Sequence, residues 1–430
     1  MASFDFKVSA DSANADKLRT LLTSVAIVAP FGVTVADLVA APPVEPPKDV
    51  PPVEPDLPDE PEPTEPTEPA PVGEADRYVS ANGTGDGSKG NPAPVSKINE
   101  MILAAGKDGV VELVGDFAQS AIRINAAPAS QVTIRGGTFT GDRFPYTKPS
   151  SEKGTRVSSP GGGTVFIIQN GARNLRFEGQ TFRNVGIAFD KNNTKGSNLE
   201  FVNITLHNVR DGFSSNEGTE IVGLLYENIK ATGYSKKAIR LHGNSSKIVV
   251  RNAQLDSGWI EGDNFAAGIE MYDTVHDILI EGGWAGNVRD TQGGSQSKYW
   301  NADCISSERG VYDVKIRGFR GFNSTDGGLD LKSTKTIVED CVFEDCKRNI
   351  RIWGEATVRN CTSIRPKHRG GSGGEMHVWA GNGAKLTLEN FTAIGPGLLA
   401  ENDGAAFLKI NGLTLKEGAT AETMGKVEIA

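Results

Sequence analysis

Along most of the chain, apolar residues fall at every second position over short stretches, and each stretch ends on asparagine, glycine or aspartate. The phrases LRFEG, LEFVN, LLYEN, IVVRN, ILIEG, VKIRG, TIVED, ATVRN and LTLEN share this form. Their last residues are Gly179, Asn203, Asn228, Asn252, Gly282, Gly318, Asp340, Asn360 and Asn390, spaced 20 to 36 residues apart. Alternation over so few residues predicts short strands with one face inward. Asparagine and glycine sharing one column predict a tight turn in the left-handed region after each strand. A second polar column follows five residues later, at Asn184, Asn208, Asn287, Asn323 and Asp345. Stacked asparagines hydrogen-bond along such a ladder. A unit of this length, repeated many times, predicts a solenoid of stacked coils.

The ends of the chain read differently. Residues 42–76 form a Pro/Glu-rich linker that cannot bury a core. Residues 1–41 before it read as an anchoring or assembly segment. Their apolar stretch 21–41 contains Pro30, Gly32 and Asp37, and its lead-in carries Asp5, Asp11 and Asp16. That is a poor fit to a secretory signal or a membrane span. Residues 77–430 form the repeat domain. Near its start, residues 95–105 read as a short amphipathic helix that caps the open apolar end of the solenoid.

Charge changes the picture little. The chain carries a formal −9, of which the linker region supplies −10, so the folded part is close to neutral. No basic tail or stripe suggests nucleic acid as a partner. The four cysteines, Cys304, Cys341, Cys346 and Cys361, are too few for a disulfide scaffold and read as structural. Cys341 and Cys361 share a column of consecutive coils, as stacked interior thiols would.

The repeat resembles the pectin-lyase-like superfamily of right-handed parallel β-helices, over about 330 residues. The resemblance implies an all-β fold. It leaves function open among polysaccharide lyases, glycoside hydrolases, epimerases, phage tailspikes and adhesins.

Candidate chemistry lies on the strand preceding each turn phrase. Strict alternation predicts an outward column of Ala188, Ser214, Arg240, Glu270, Ser306, Asp330, Arg351, His377 and Lys409. It predicts a second column of Asp190, Asn216, His242, Tyr272, Glu308, Lys332, Trp353, Trp379 and Asn411. The expected catalytic residues are Glu270, Glu308, Asp330, Lys332 and His242. The expected substrate contacts are Arg240, Tyr272, Arg351, Trp353, His377 and Trp379, with the two tryptophans as exposed platforms for sugar rings. Insertions at 256–265, 288–301 and 366–374 would wall this face into a cleft.

Two cleavage chemistries fit these columns. In β-elimination from an acidic polysaccharide, Arg240, Arg351 or Lys332 neutralises a uronate and His242, Tyr272 or Lys332 takes its C5 proton; this reading stands first. In inverting hydrolysis, stacked carboxylates such as Glu270 and Asp330 raise one another's proton affinity and act as acid and base. A glycan-binding adhesin or spike without catalysis is the third reading. The run DGGLDLKS resembles the Asp-and-Lys coils of calcium-dependent pectate lyases, which leaves calcium as a candidate cofactor. The expected partner is a polysaccharide and the expected location is outside the cell or on a particle surface. The N-terminal segment would be the anchor, and a homotrimer stays open.

Overall fold

A computed structural model describes residues 73–142, 163–263, 265–291 and 299–430. The anchoring segment 1–41, nearly all of the linker, and parts of two expected wall insertions (264 and 292–298) lie outside the described residues. Among the described residues, no helix is long and apolar enough to cross a membrane.

Gly73–Ala430 is one unit, a right-handed parallel β-helix. One coil runs through the strands Lys237–Leu241, Ser246–Arg251 and Gln254–Asp256 before the next begins at Ala267–Met271. Each strand pairs in parallel with its equivalent one coil on, as Ile248 with Ile278 and Ile278 with Val314. The first strands of successive coils form one 12-stranded sheet, and the other two sets join in a 23-stranded sheet. The short helix Ile98–Ala105 buries Ile98, Met101 and Ile102, as a cap over the first coil requires.

The turn columns hold as the pattern predicts. All nine residues of the first column have positive φ, from 51° at Asn390 to 75° at Gly179. So do Asn184, Asn208, Asn287, Asn323 and Asp345. Left-handed backbone is nearly free for glycine and mild for asparagine. The Asn228 side chain donates to Asn203 Oδ1 at 3.0 Å, and Asn390 donates to Asn360 Oδ1 at 3.2 Å.

Inside, equivalent side chains stack as well. Phe166, Phe189 and Phe213 stack on successive coils with ring centroids 5.2 Å apart. A second stack of Phe177, Phe201 and Tyr226 meets the first edge-on. The buried Lys191 ammonium lies 5.6 Å from the Phe213 ring, and burial pulls its pKa down to about 7. Cys341 and Cys361 are buried and unoxidised on adjacent coils, as expected.

Phe189 touches rings above, below and beside it. Phe189→Ala is expected to destabilise the domain by about 3–5 kcal/mol, read from the denaturant midpoint of unfolding.

Candidate active site

The 12-stranded sheet carries the cleft. Its register sets Arg240, Glu270, Ser306, Asp330, Arg351, Trp379 and Glu401 in one column. The neighbouring backbone carries Tyr272, Glu308, Lys332 and Trp353 one step beyond each strand, as their hydrogen bonds to Leu241, Met271, Ser307 and Leu331 show. From Glu270 to Arg351 in the first set and from Tyr272 to Trp353 in the second, these residues line a cleft of about 360 Å³, with Lys237, Phe265, Asn301 and Asp303 completing its wall.

The register departs from strict alternation at the start of each strand. Ala238, Gly268, Cys304, Asn349 and His377 are buried or interior although the next residue, such as Ile239 or Ile305, is buried too. Two successive inward residues shift the parity of everything before them. Lys237, Asp303 and Arg348, which alternation assigns to the inside, therefore lie on the cleft side. His377, assigned to the outside, lies within. Its Nδ1 is 2.8 Å from Ser363 Oγ and its Nε2 is 3.3 Å from the Gly395 carbonyl. Burial lowers its pKa, and it is 0% exposed, so it is no substrate contact.

Other expectations are corrected by the same register. Trp379 stands against Arg351 in the first column, not beside Trp353 in the second. It is 4% exposed, edge-on to Trp353 at 4.4 Å, with the Arg348 and Arg351 guanidiniums 5.0 and 5.1 Å from its ring. It braces Arg351 and offers no open platform. Ala188 is buried, and Asp190 holds the outward place opposite Ser214. Lys409 belongs to the other sheet, opposite Thr387.

The expected carboxylates do not behave alike. Glu270 faces Lys237 at 2.5 Å, Arg240 at 3.1 Å and His242 at 3.4 Å. Burial alone would raise its pKa, but these three partners hold the carboxyl well below the usual range. Glu270 is therefore locked as an anion and cannot serve as a general acid. His242 also faces Asp273 at 3.4 Å and stacks on Tyr272 at 4.7 Å. Lys332 is paired with Glu308. Tyr272 is 40% exposed, and partial burial beside Glu308 and Glu270 raises its pKa.

The centre of the site is a cluster only partly foreseen. Asp303, Asp326 and Asp330 bring carboxylate oxygens within 4.8 Å of one another. Asp326 accepts from the Tyr299 hydroxyl at 2.5 Å and from Arg351 Nη1 at 2.9 Å. Arg351 Nη1 also reaches Asp330 Oδ2 at 3.4 Å. Asp303 Oδ1 accepts only the Gly327 N–H at 2.8 Å among the described residues. Asp330 Oδ1 is buried with no hydrogen-bond partner among the described residues. Arg351 is the paired counter-charge, with the Lys332 and Lys347 ammoniums adding to it, and carboxylates crowded this closely favour a retained proton or a cation between them. Burial, with Asp330 and Asp326 nearby, pushes Asp303 far above the usual carboxylate range. Burial pushes Asp330 up to about 6 despite Arg351, with Asp326 adding to the rise.

Sequence reasoning found Asp330 but missed Asp303, Asp326 and Lys237. The signal available was TDGGLD, two aspartates four apart across a glycine corner, together with an aspartate opening the preceding strand.

No protein-family model matches the chain, and no curated protein sequence matches it. Solved structures do match. An alginate lyase from Paenibacillus sp. is 13% identical with a TM-score of 0.40, covering 82% of this chain and 100% of that one. The tailspike protein 2 enzymatic domain of bacteriophage CBA120 is 10% identical with a TM-score of 0.43, covering 79% and 48%. The catalytic unit of an α-1,3-glucanase from Streptomyces thermodiastaticus is 13% identical with a TM-score of 0.42, covering 83% and 72%.

The raised pKa of Asp330 is a stability statement. Its folded value exceeds the unfolded one, so its contribution is fully present below the usual carboxylate range and is lost as pH rises through about 6. Asn imitates the protonated form. The Tm of Asp330→Asn relative to wild type is therefore expected to shift upward between pH 4 and pH 8, measured by thermal unfolding across that range.

Proposed function

We propose that the protein cleaves a polysaccharide by hydrolysis, with Asp303 as general acid and Asp330 as nucleophile. The supporting observation is the cluster of Asp303, Asp326 and Asp330 within 4.8 Å, of which Asp303 and Asp330 line the cleft. Glycoside hydrolysis wants two carboxyl groups whose proton affinities are driven apart. Asp303, whose hold on its proton burial raises well above the usual carboxylate range, delivers that proton to the glycosidic oxygen as the C–O bond breaks. Asp330, ionised above about 6, attacks the anomeric carbon in the same step; water then hydrolyses the glycosyl ester, giving its proton to the Asp303 carboxylate and freeing Asp330. The charge on Asp326, held by Tyr299 and Arg351, supports both shifts. Glu270 is tied to three cations, so it is not the partner of Asp330 that the column spacing suggested. The clustered oxygens lie closer than the ~6.5–9.5 Å of inverting pairs and nearer the ~5–5.5 Å of retaining ones, which supports this two-step course.

β-Elimination, first in the sequence reading, requires a base free to take a C5 proton. Here Lys332 is engaged by Glu308, and His242 by Glu270 and Asp273. That engagement favours hydrolysis. A second reading rests on a different observation. Three carboxylate oxygens within 4.8 Å fit ligands at the ~2.3–2.6 Å of a calcium ion, and Asp330 Oδ1 lacks a partner. Asp303, Asp326 and Asp330 would hold such an ion, whose charge would neutralise a substrate carboxylate. Tyr272, which makes no such ion pair among the described residues, would then face the C5 proton. Both readings imply action outside the cell or on a particle surface, where the polymer is, with residues 1–41 as anchor.

One experiment separates them. The protein is incubated with neutral and uronate-containing bacterial polysaccharides, with and without a chelator, while reducing ends and the absorbance of unsaturated uronate are followed. Hydrolysis gives reducing ends without the absorbance and is indifferent to the chelator. Absorbance that the chelator abolishes transfers the site to the lyase reading. Binding without either product overturns catalysis altogether and leaves an adhesin.

Asp303→Asn and Asp330→Asn are each expected to lower kcat/KM by about 10²–10⁴-fold. The wild-type pH profile is expected to rise through about 6 as Asp330 ionises, and to fall at higher pH as Asp303 loses its proton.

A further inference from the structure

At one edge of the cleft-bearing sheet four cations gather, of which Lys237 lines the cleft itself. Arg210, Lys236, Lys237 and Arg240 meet where the strands Asp211–Ser214 and Lys237–Leu241 begin. Arg210 Nη1 is 2.5 Å from Asp211 Oδ2, and its Nε is 2.7 Å from Asp263 Oδ2. Arg240 Nη2 is 3.5 Å from Asp211 Oδ1, and its Nε is 3.1 Å from Glu270. Lys237 completes the set at 2.5 Å from Glu270. Every carboxylate of this corner is thus engaged, and Asp211 and Glu270 each face more than one cation.

Lys236 differs from the other three. Its backbone N–H donates to the Arg210 carbonyl at 2.9 Å, which sets it one coil on from Arg210. Among the described residues its ammonium makes no salt bridge and no side-chain hydrogen bond. It is half-buried, with two guanidiniums close by. Burial and the Arg210 and Arg240 guanidiniums lower its hold on the proton, and the Asp211 and Asp263 carboxylates work against them. Four cations against Asp211, Asp263 and Glu270 leave one positive charge over. A partly desolvated cation beside other cations is costly unless an anion offsets it.

We propose that Lys236, flanked by Arg210 and Arg240, is an anion subsite that takes a carboxylate or sulfate group of the bound polysaccharide. The subsite rests on the reading of the cleft as a polysaccharide groove and adds a requirement to it. Lys237 aligns with Ala267 and Ala267 with Asp303, and the Asp303 strand aligns with the next through Ile305 and Leu329. Lys236 therefore stands three coils from Asp326, or about 14 Å at ~4.8 Å per coil. The charged group it takes belongs to a sugar other than the one cleaved. Specificity for an acidic polymer is then set away from the cleavage point, and a neutral polymer of the same backbone can still be cut.

Lysine labelling of the full chain with acetic anhydride, read by peptide mass spectrometry, tests this without requiring turnover. The probes are galacturonic acid oligosaccharides, sulfated dextran oligosaccharides and neutral dextran oligosaccharides. The expected result is protection of Lys236 by one of the anionic probes and not by the neutral one; the effective probe shows which anion is taken. Lys236→Gln is expected to weaken binding of that probe about tenfold, leave neutral binding unchanged, and be largely rescued by Lys236→Arg. No anionic protection, an unchanged Gln variant, or an equal loss for the neutral probe overturns the subsite. Lys332, inside the cleft, is the internal control. Protection of Lys332 without Lys236 overturns the subsite alone, whereas no protection of either overturns the polysaccharide groove as well.

Discussion

Parallel, in-register pairing between coils governs this structure. Backbone hydrogen bonding holds each residue about 4.8 Å from its equivalent on the next coil, so like positions meet like positions along the whole axis. For apolar and amide side chains this is favourable. Phenylalanines stack on phenylalanines at 5.2 Å, and asparagines donate to asparagines at about 3 Å. For charged side chains the same constraint is hostile unless the sign alternates. On the outer face it does. Arg251 lies 3.1 Å from both Glu227 and Glu281, and Arg359 lies 3.3 Å from Glu339.

The cleft is where that alternation fails. Arg240 and Glu270 still compensate each other on adjacent coils. Beyond them Ser306 interrupts the column, and Asp303, Asp326 and Asp330 converge with Arg351 as their principal counter-charge. The fold cannot relax this crowding, because moving one carboxylate away would break the ladder that positions its coil. Protonation or a bound cation is the remaining outlet, and without the cation the carboxyl groups titrate outside their usual range.

Much of this was legible in the sequence, and the limit has a physical origin. Turn positions announced themselves because left-handed backbone restricts residue choice to glycine, asparagine and aspartate, and all fourteen positions in the two columns show it. Within the strands, Arg240, Glu270, Asp330 and Arg351 were placed correctly because alternation holds there. It fails at the strand starts, where small residues such as Ala238, Gly268 and Cys304 let the chain turn inward twice in succession. A Cβ on Gly268 would lie 2.7 Å from the Cys304 carbonyl oxygen, so the corner is closed to larger side chains. That one step hid Asp303 and Lys237 and brought His377 wrongly to the surface. Ion pairing was not legible either: Glu270 and Asp330 occupy the same column, yet Lys237 locks one while burial unlocks the other.

The sheet that bears the cleft continues past it in both directions, from Ile122–Ile124 to Thr423–Met424. Nothing in such a ladder provides a hinge, and its surface is a track rather than a dead-end pocket. A long polymer can lie along it with both ends free. Scission would then fall at interior bonds, and a solution of the polymer would lose its viscosity well before many chain ends had formed.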